Sequence, residues 1–172
     1  MPEEVISNAG PLMAFAKLNL LHLLKQMYGR VYFPSAVYQE VVIEGIRRGF
    51  EDAHTLRLFL SREKWEANEV GDIPQELTFS NLDKGERESI ALAMATHRPL
   101  LIDEEQGRKE ARQRGVIIRG TIGVLARAYR RGLIPADQLS LYFQEIEERK
   151  DIWISPALCR RVLRHTLDEP LP

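Results

Sequence analysis

The sequence predicts a three-layer α/β/α fold on a central, mostly parallel sheet. Three observations carry that prediction. Short apolar segments alternate with amphipathic stretches along the whole chain. The apolar segments, such as "PLLI" and "VIIR", are continuous rather than alternating, as in strands covered on both faces. No repeat, low-complexity tract or linker interrupts the 172 residues, so a single domain over 1–172 is expected.

The elements follow in order. "EEVISN" opens with a β-branched strand at Val5–Ser7. Leu12, Ala16, Leu20, Leu23, Leu24 and Met27 then recur at helical spacing, with a break expected near Leu18–Asn19 and a stop at Gly29. "RVYFP" reads as a strand ended by Pro34. Ser35 is placed to cap a helix that runs to Gly49. "EDAHTLRLFLSREK" is an amphipathic helix, "WEANEV" an expected edge strand, and "GDIPQELTFSN" a turn-rich connector. Asp83 caps "LDKGERESIALAMATHR". "PLLID" is a strand, "EEQGRKEARQRG" a helix closed by Gly115, and "VIIR" a strand. Thr121 can cap "IGVLARAYRRG", which Gly132 closes. Leu139, Tyr142, Phe143 and Ile146 share one face of the next helix. "IWIS" reads as a short strand, and Ser155-Pro156 opens a last helix.

Composition narrows the function classes. Hydrophobic residues make up 44% and charged residues 28%, which fits a globular chain rather than a disordered one. The net charge of −1 gives no whole-chain argument for a polyanionic partner, so only local patches can make one. The lone Cys159 cannot form an internal disulfide, and four scattered histidines form no zinc motif. No apolar run approaches the roughly 20 residues that span a bilayer. The acidic start "MPEEVISNAG" has no signal-peptide core. A cytoplasmic protein without a membrane partner is expected.

In open α/β sheets, ligands sit at the carboxyl ends of the strands. Here those ends carry Ser7–Asn8, Asp103–Glu104 and Gly120–Thr121. Two helical carboxylates can join them. Glu40 lies among Val37, Val41 and Val42. Glu86 begins the stripe Ile90, Ala93, Met94, His97, so it starts the inward face of its helix and needs a partner. Each acid alone has an ordinary reading. Asp83-x-x-Glu86 is also a capping box, Glu40 a partly exposed glutamate, Asp103 a helix cap, and Glu105 a first-turn acid favoured by the helix dipole. Together they would repel unless a cation neutralised them, and an all-oxygen set suits Mg²⁺ or Mn²⁺.

A basic segment follows directly. Arg108, Lys109, Arg112, Arg114, Arg119, Arg127, Arg130 and Arg131 stand against the single acid Glu110. Two solvated helix faces would give that pattern, and so would a surface for a phosphodiester backbone.

The stretches "VISNAGPLMAFAKLNLLHLLKQMYGRVYFPSAVYQEVV" and "LDKGERESIALAMATHRPLLIDEEQGRKEARQRGVIIRGTIGVLARAYRRGLI" resemble the PIN-domain superfamily. More narrowly, they resemble its prokaryotic branch of predicted nucleic-acid-binding proteins. A strand followed by "GPL", "GE" at a helix start, "LLIDEEQGR" and "GTIGVL", in that order, carry the resemblance over most of the chain. It implies an endoribonuclease that gathers about four acids around Mg²⁺ or Mn²⁺. By position, those acids fall on Asn8, Glu40, Glu86 and the Asp103–Glu104 pair, with Asp103 preferred. Thr121 falls where the family often keeps a hydroxyl or acid. Asn8 departs from the family's aspartate and removes one negative charge, which weakens the expected metal site.

The mechanism so implied is metal-assisted hydrolysis of RNA, with Arg108 holding substrate phosphate. Many members are toxins, so a cognate antitoxin is an expected partner. A homodimer is expected by analogy, through apolar faces such as those around Phe15 or Leu58–Phe59. The alternative is a catalytically inactive module that binds RNA or protein. A nucleotide-handling enzyme of another class is disfavoured by the absence of a phosphate-binding glycine loop.

Overall fold

The structure is a computed structural model that describes residues 2–78 and 80–172. Two compact units divide the chain, one running to Arg119 and the other being Gly120–Pro172.

The first unit is built on β1 (Val5–Ser7), β2 (Val31–Tyr32), β3 (Leu100–Leu101) and β4 (Ile118–Arg119). They form a four-stranded sheet in the order β2-β1-β3-β4, and every neighbouring pair is parallel. The α/β/α class expected from the sequence is the one observed. Val5, Ile6 and Ser7 are all fully buried, as are Leu100, Leu101 and Ile102. Consecutive strand residues point to opposite faces, so both faces of the sheet are covered. The chain passes from β1 to β2 on one side, then returns to place β3 on the other side of β1. The strand order therefore reverses between β1 and β3, the place where such sheets bind ligands.

Between β1 and β2 lie α1 (Ala9–Lys17) and α2 (Leu21–Tyr28). They are separated at Leu18–Asn19, where Asn19 takes φ 57°, and Gly29 ends α2 with φ 69°. After β2 comes one helical run: α3 (Ser35–Tyr38), a π-helical turn (Gln39–Glu44) and α4 (Gly45–Arg47). A turn at Gly49 (φ 78°) then leads to α5 (Glu51–Glu63). A Cβ on Gly45 would stand 2.7 Å from that of Ala53, so this glycine lets α4 and α5 approach. Then follow α6 (Gln75–Thr78), α7 (Lys84–Thr96) and α8 (Glu105–Gln113). Ile90 and Ala93 of α7 and Ala111 of α8 pack with Ile6, Leu100 and Ile102 in one core cluster.

Some local expectations are corrected. "WEANEV" is no strand, for it makes one parallel bridge, Asn68 with Pro34. Its partner segment turns helical at Ser35, which ends the ladder after the Asn68 N–H bond to Phe33 O (2.8 Å) and the Ser35 N–H bond to Asn68 O (3.1 Å). Ser35 is accordingly the first helical residue, not the cap. Its hydroxyl donates to the Glu69 carboxylate (3.0 Å). The connector "GDIPQELTFSN" contains α6, and its Phe79 lies outside the described residues. Phe15 is fully buried and offers no dimer face, and neither does buried Phe59. Leu58 is 63% exposed.

The second unit comprises α9 (Thr121–Arg130), α10 (Ala136–Glu148) and α11 (Pro156–Asp168), which pack on one another. Leu139, Phe143 and Ile146 are the buried face of α10, with Tyr142 beside them half-buried. Ser155 caps α11, its oxygen accepting from the Leu158 N–H, and Pro156 occupies the first turn. Two expectations fail here. Gly120 is the cap position of α9, and Thr121 is its first helical residue. "IWIS" is not a strand, since it pairs with no strand among the described residues, and its Ser155 carbonyl already accepts from the Cys159 N–H of α11 (3.0 Å). Arg149 instead clamps Asp151 through two bonds of 2.8 Å just before it. No described helix is long and apolar enough to cross a membrane.

Candidate active site

The register Ser7↔Leu101 aligns the carboxyl ends of β1 and β3, the two strands flanking the reversal. Asn8 follows one and Ile102–Asp103 the other, and the Asn8 N–H donates to Leu101 O (2.9 Å). Asn8 is only 5% exposed. Its side chain does not cap α1. Its Oδ1 accepts from the Ser89 hydroxyl of α7 (3.3 Å). This bond ties the end of β1 to the face of α7 that begins with Glu86.

Asp103 leans over the first turn of α1, with Oδ2 3.6 Å from where a Cβ on Gly10 would stand. That position favours a carboxylate, because the start of a helix presents positive partial charge. The cap of the next helix is Glu104, not Asp103. Its carboxylate accepts from the N–H groups of Gln106 (3.0 Å) and Gly107 (2.6 Å). Gly107 is required for this fit, since a Cβ there would lie 2.6 Å from Ile102 Cδ1. Glu105 sits exposed in the first turn of α8, as expected of a dipole-favoured acid.

Glu86 and Asp83 form the capping box that their spacing suggests. Asp83 Oδ1 accepts from the Glu86 N–H (2.8 Å), and Glu86 Oε2 accepts from the Asp83 N–H (3.0 Å). Glu86 is nevertheless 9% exposed, on the inward stripe. Burial pushes its carboxyl up to about 7. The nearby charges of Asp83 and Glu104 add to that, against the bond from the Asp83 N–H.

Glu40 projects from the π-helical turn. The residue as a whole is exposed, but its Oε2 reaches 3.3 Å from where a Cβ on Gly85 would stand, and Asp83 Oδ1 is 3.5 Å from the same point. Only a glycine leaves that gap open. Burial of the carboxyl, then the negative charge of Asp83, raises the Glu40 pKa. Four acids thus form a patch, with Asp83 between Glu40 and Glu86, and the Glu104 charge beside Glu86. Among the described residues, no three His, Cys, Asp or Glu side chains already converge as a metal-holding group.

Arg108 is half-buried at the end of β3, where its NH1 donates to Ile102 O (2.8 Å). Burial, then Arg112, lowers its pKa, opposed by Asp103 and Glu105. Much of the expected basic patch is neutralised. Arg114 pairs with Glu110, Arg119 with Glu3 and Arg130 with Glu169. Thr121 belongs to the second unit, where it is fully buried.

Three residues here escaped the sequence reading. Ser89 lies one turn beyond Glu86, and a hydroxyl on an inward stripe was the available signal. Gly85 was read only as part of a "GE" pair. Glu88 is buried and accepts from the Ala36 N–H (3.4 Å), which pins α3, and so the helical run bearing Glu40, to α7. Nothing in its spacing marks it.

A family model described as a PIN domain matches residues 4–168 of the chain. No curated protein matches it.

Proposed function

The chain belongs to the PIN-domain family, and from that premise we propose a divalent-metal-dependent endoribonuclease, acting as one domain through Asn8, Glu40, Glu86, Asp103 and Glu104. Family membership supports a nuclease-type fold acting on nucleic acid. One observation carries the finer reading. Glu86 is buried beside the charges of Asp83 and Glu104, and Glu40 is partly buried against the same Asp83. Burial and like charge raise the pKa of Glu86 and Glu40, and a bound cation would relieve that repulsion.

PIN domains generally use divalent metal ions, and the donors here fit one. They are all oxygens, anionic except Asn8, as hard Mg²⁺ or Mn²⁺ requires. Glu40, Glu86, Asp103 and Glu104 would hold the ion, with the Asn8 carbonyl in the place of a fifth donor. When bound, it polarises a phosphodiester and acidifies a water. The protein's own part is positional. Asp103 stands over the start of α1. Glu86, at about 7, is poised to hold or release a proton near neutrality. Arg108 directs its remaining guanidinium N–H groups to a phosphate oxygen, whereas the fully buried Thr121 hydroxyl is left out of the site. A toxin role opposed by an antitoxin, a homodimer and a cytoplasmic location complete the proposal.

A second reading, a non-cleaving RNA- or protein-binding module, is favoured by Asn8. Its carbonyl is engaged by Ser89, and one carboxylate is missing from the set. Cleavage of a labelled RNA in Mn²⁺ separates the two. The nuclease reading expects cleavage that chelator abolishes and that Glu86→Gln or Asp103→Asn reduces at least roughly a hundredfold. Unchanged rates in both variants would reject the site. RNA retention without any cleavage would favour the module.

A further inference from the structure

The second unit carries a feature that the acidic site does not use. Trp153 is 91% exposed, on an irregular segment just before α11. An indole so exposed offers a flat apolar face on which a base can stack. The helix that follows bears Arg160, Arg161, Arg164 and His165 along one stripe. They line a concavity of about 580 Å³ that extends from Ala157 to Glu169, roughly 18 Å of helix at 1.5 Å per residue.

The charges on that stripe are unequally matched. Arg160 pairs with Glu147 (2.8 Å), and His165 and Arg130 share Glu169 (2.8 and 2.9 Å). Arg161 and Arg164 are exposed and make no ion pair among the described residues. An exposed indole alone fits a protein or a base. Unpaired guanidiniums in a groove on the helix that follows it fit a phosphate backbone with an unstacked base, since phosphates neutralise arginine and aromatic rings stack on bases.

We infer that Trp153 and the Arg161–Arg164 face of α11 form a docking surface for single-stranded RNA. Trp153 stacks a base, and the two arginines each take a phosphate. The inference rests on the reading that RNA is the substrate class, and it adds where in the chain the strand is gripped.

The test is binding of a 12-nucleotide uridine RNA to the full chain in EDTA, so that cleavage plays no part. The signal is tryptophan emission. Trp65 is buried, so the difference between wild type and Trp153→Phe isolates Trp153. The surface predicts quenching in wild type that Trp153→Phe lacks, with affinity reduced roughly tenfold in Trp153→Ala. Arg161→Gln/Arg164→Gln should flatten the slope of log affinity against log salt by about 1.4, two phosphate contacts' worth for a single strand. All these positions are exposed, and circular dichroism verifies that the variants fold. RNA that binds without quenching, or with an unchanged slope, overturns the surface and leaves the nuclease reading standing. Equal quenching by polyglutamate of matched charge also overturns it, in favour of a protein partner. Quenching with no Mn²⁺-dependent cleavage keeps the surface and rejects the nuclease.

Discussion

The Glu104 carboxylate, which caps α8, stands near enough to the Glu86 carboxyl, in the first turn of α7, for its charge to raise the Glu86 pKa. Both groups already serve backbone N–H donors, Asp83 for Glu86, and Gln106 and Gly107 for Glu104. Capping and proton-holding thus coexist in Glu86, so its capping reading and its site reading do not exclude each other.

That pairing makes stability depend on pH. Glu86 titrates near 7 in the folded protein, above its unfolded value of 4.5. The folded state therefore holds the proton more tightly, and stability falls as pH rises from about 4.5 through about 7. Glu86→Gln cannot titrate and should remove this slope. Urea midpoints of both proteins between pH 4.5 and 7.5 should converge at the acid end for wild type and separate at the neutral end. Parallel profiles would mean that Glu86 is not the group responsible.

Asp83 raises the pKa of both Glu40 and Glu86 by its charge, yet it also caps α7. Asp83→Asn keeps an oxygen for the Glu86 N–H and removes the charge. The Glu86 titration midpoint, followed by carbon NMR of the carboxyl, should move down from about 7. Asp83→Ala should instead lose the cap, costing about 1 kcal/mol of stability. If Asn and Ala behave alike in both measurements, charge and cap have been assigned wrongly.

Gly107→Ala should destabilise the protein. Its new methyl would stand 2.6 Å from Ile102 Cδ1. Overpacking of this kind costs about 1–3 kcal/mol, whereas alanine's better helix propensity returns at most about 1 kcal/mol. Ile102→Val removes that Cδ1 at a cost of about 0.5–1.5 kcal/mol. Combined, the two changes should cost clearly less than their sum, read from urea melts. Strict additivity would show that the contact does not limit the fit of α8.

Much of this architecture was legible in the sequence for identifiable reasons. β1 and β3 show because both faces are buried, leaving unbroken apolar runs. Asp83 and Glu86 show because a capping box has fixed spacing. Gly29, Gly49, Gly115 and Gly132 mark helix ends because each takes a positive φ of 69–78°. What was illegible depended on partners distant in sequence. "WEANEV" has strand-forming residues, but the segment it pairs with becomes helical at Ser35. Phe15 cannot be told from an interface phenylalanine until its burial is seen. Asp103 and Glu104 are adjacent acids equally able to cap, and only packing of Gly107 on Ile102 decides for Glu104. The π-helical turn that carries Glu40 leaves no trace in apolar spacing.

The most direct measurement is calorimetric titration of Mn²⁺ into the folded wild type, Asn8→Asp and Glu86→Gln/Asp103→Asn. The account predicts sub-millimolar binding by wild type and roughly tenfold tighter binding by Asn8→Asp, as added ligand charge demands. The double variant should give no binding heat. Absence of binding in both wild type and Asn8→Asp, with the fold verified by circular dichroism, would contradict the account and leave the acids as caps and surface charge.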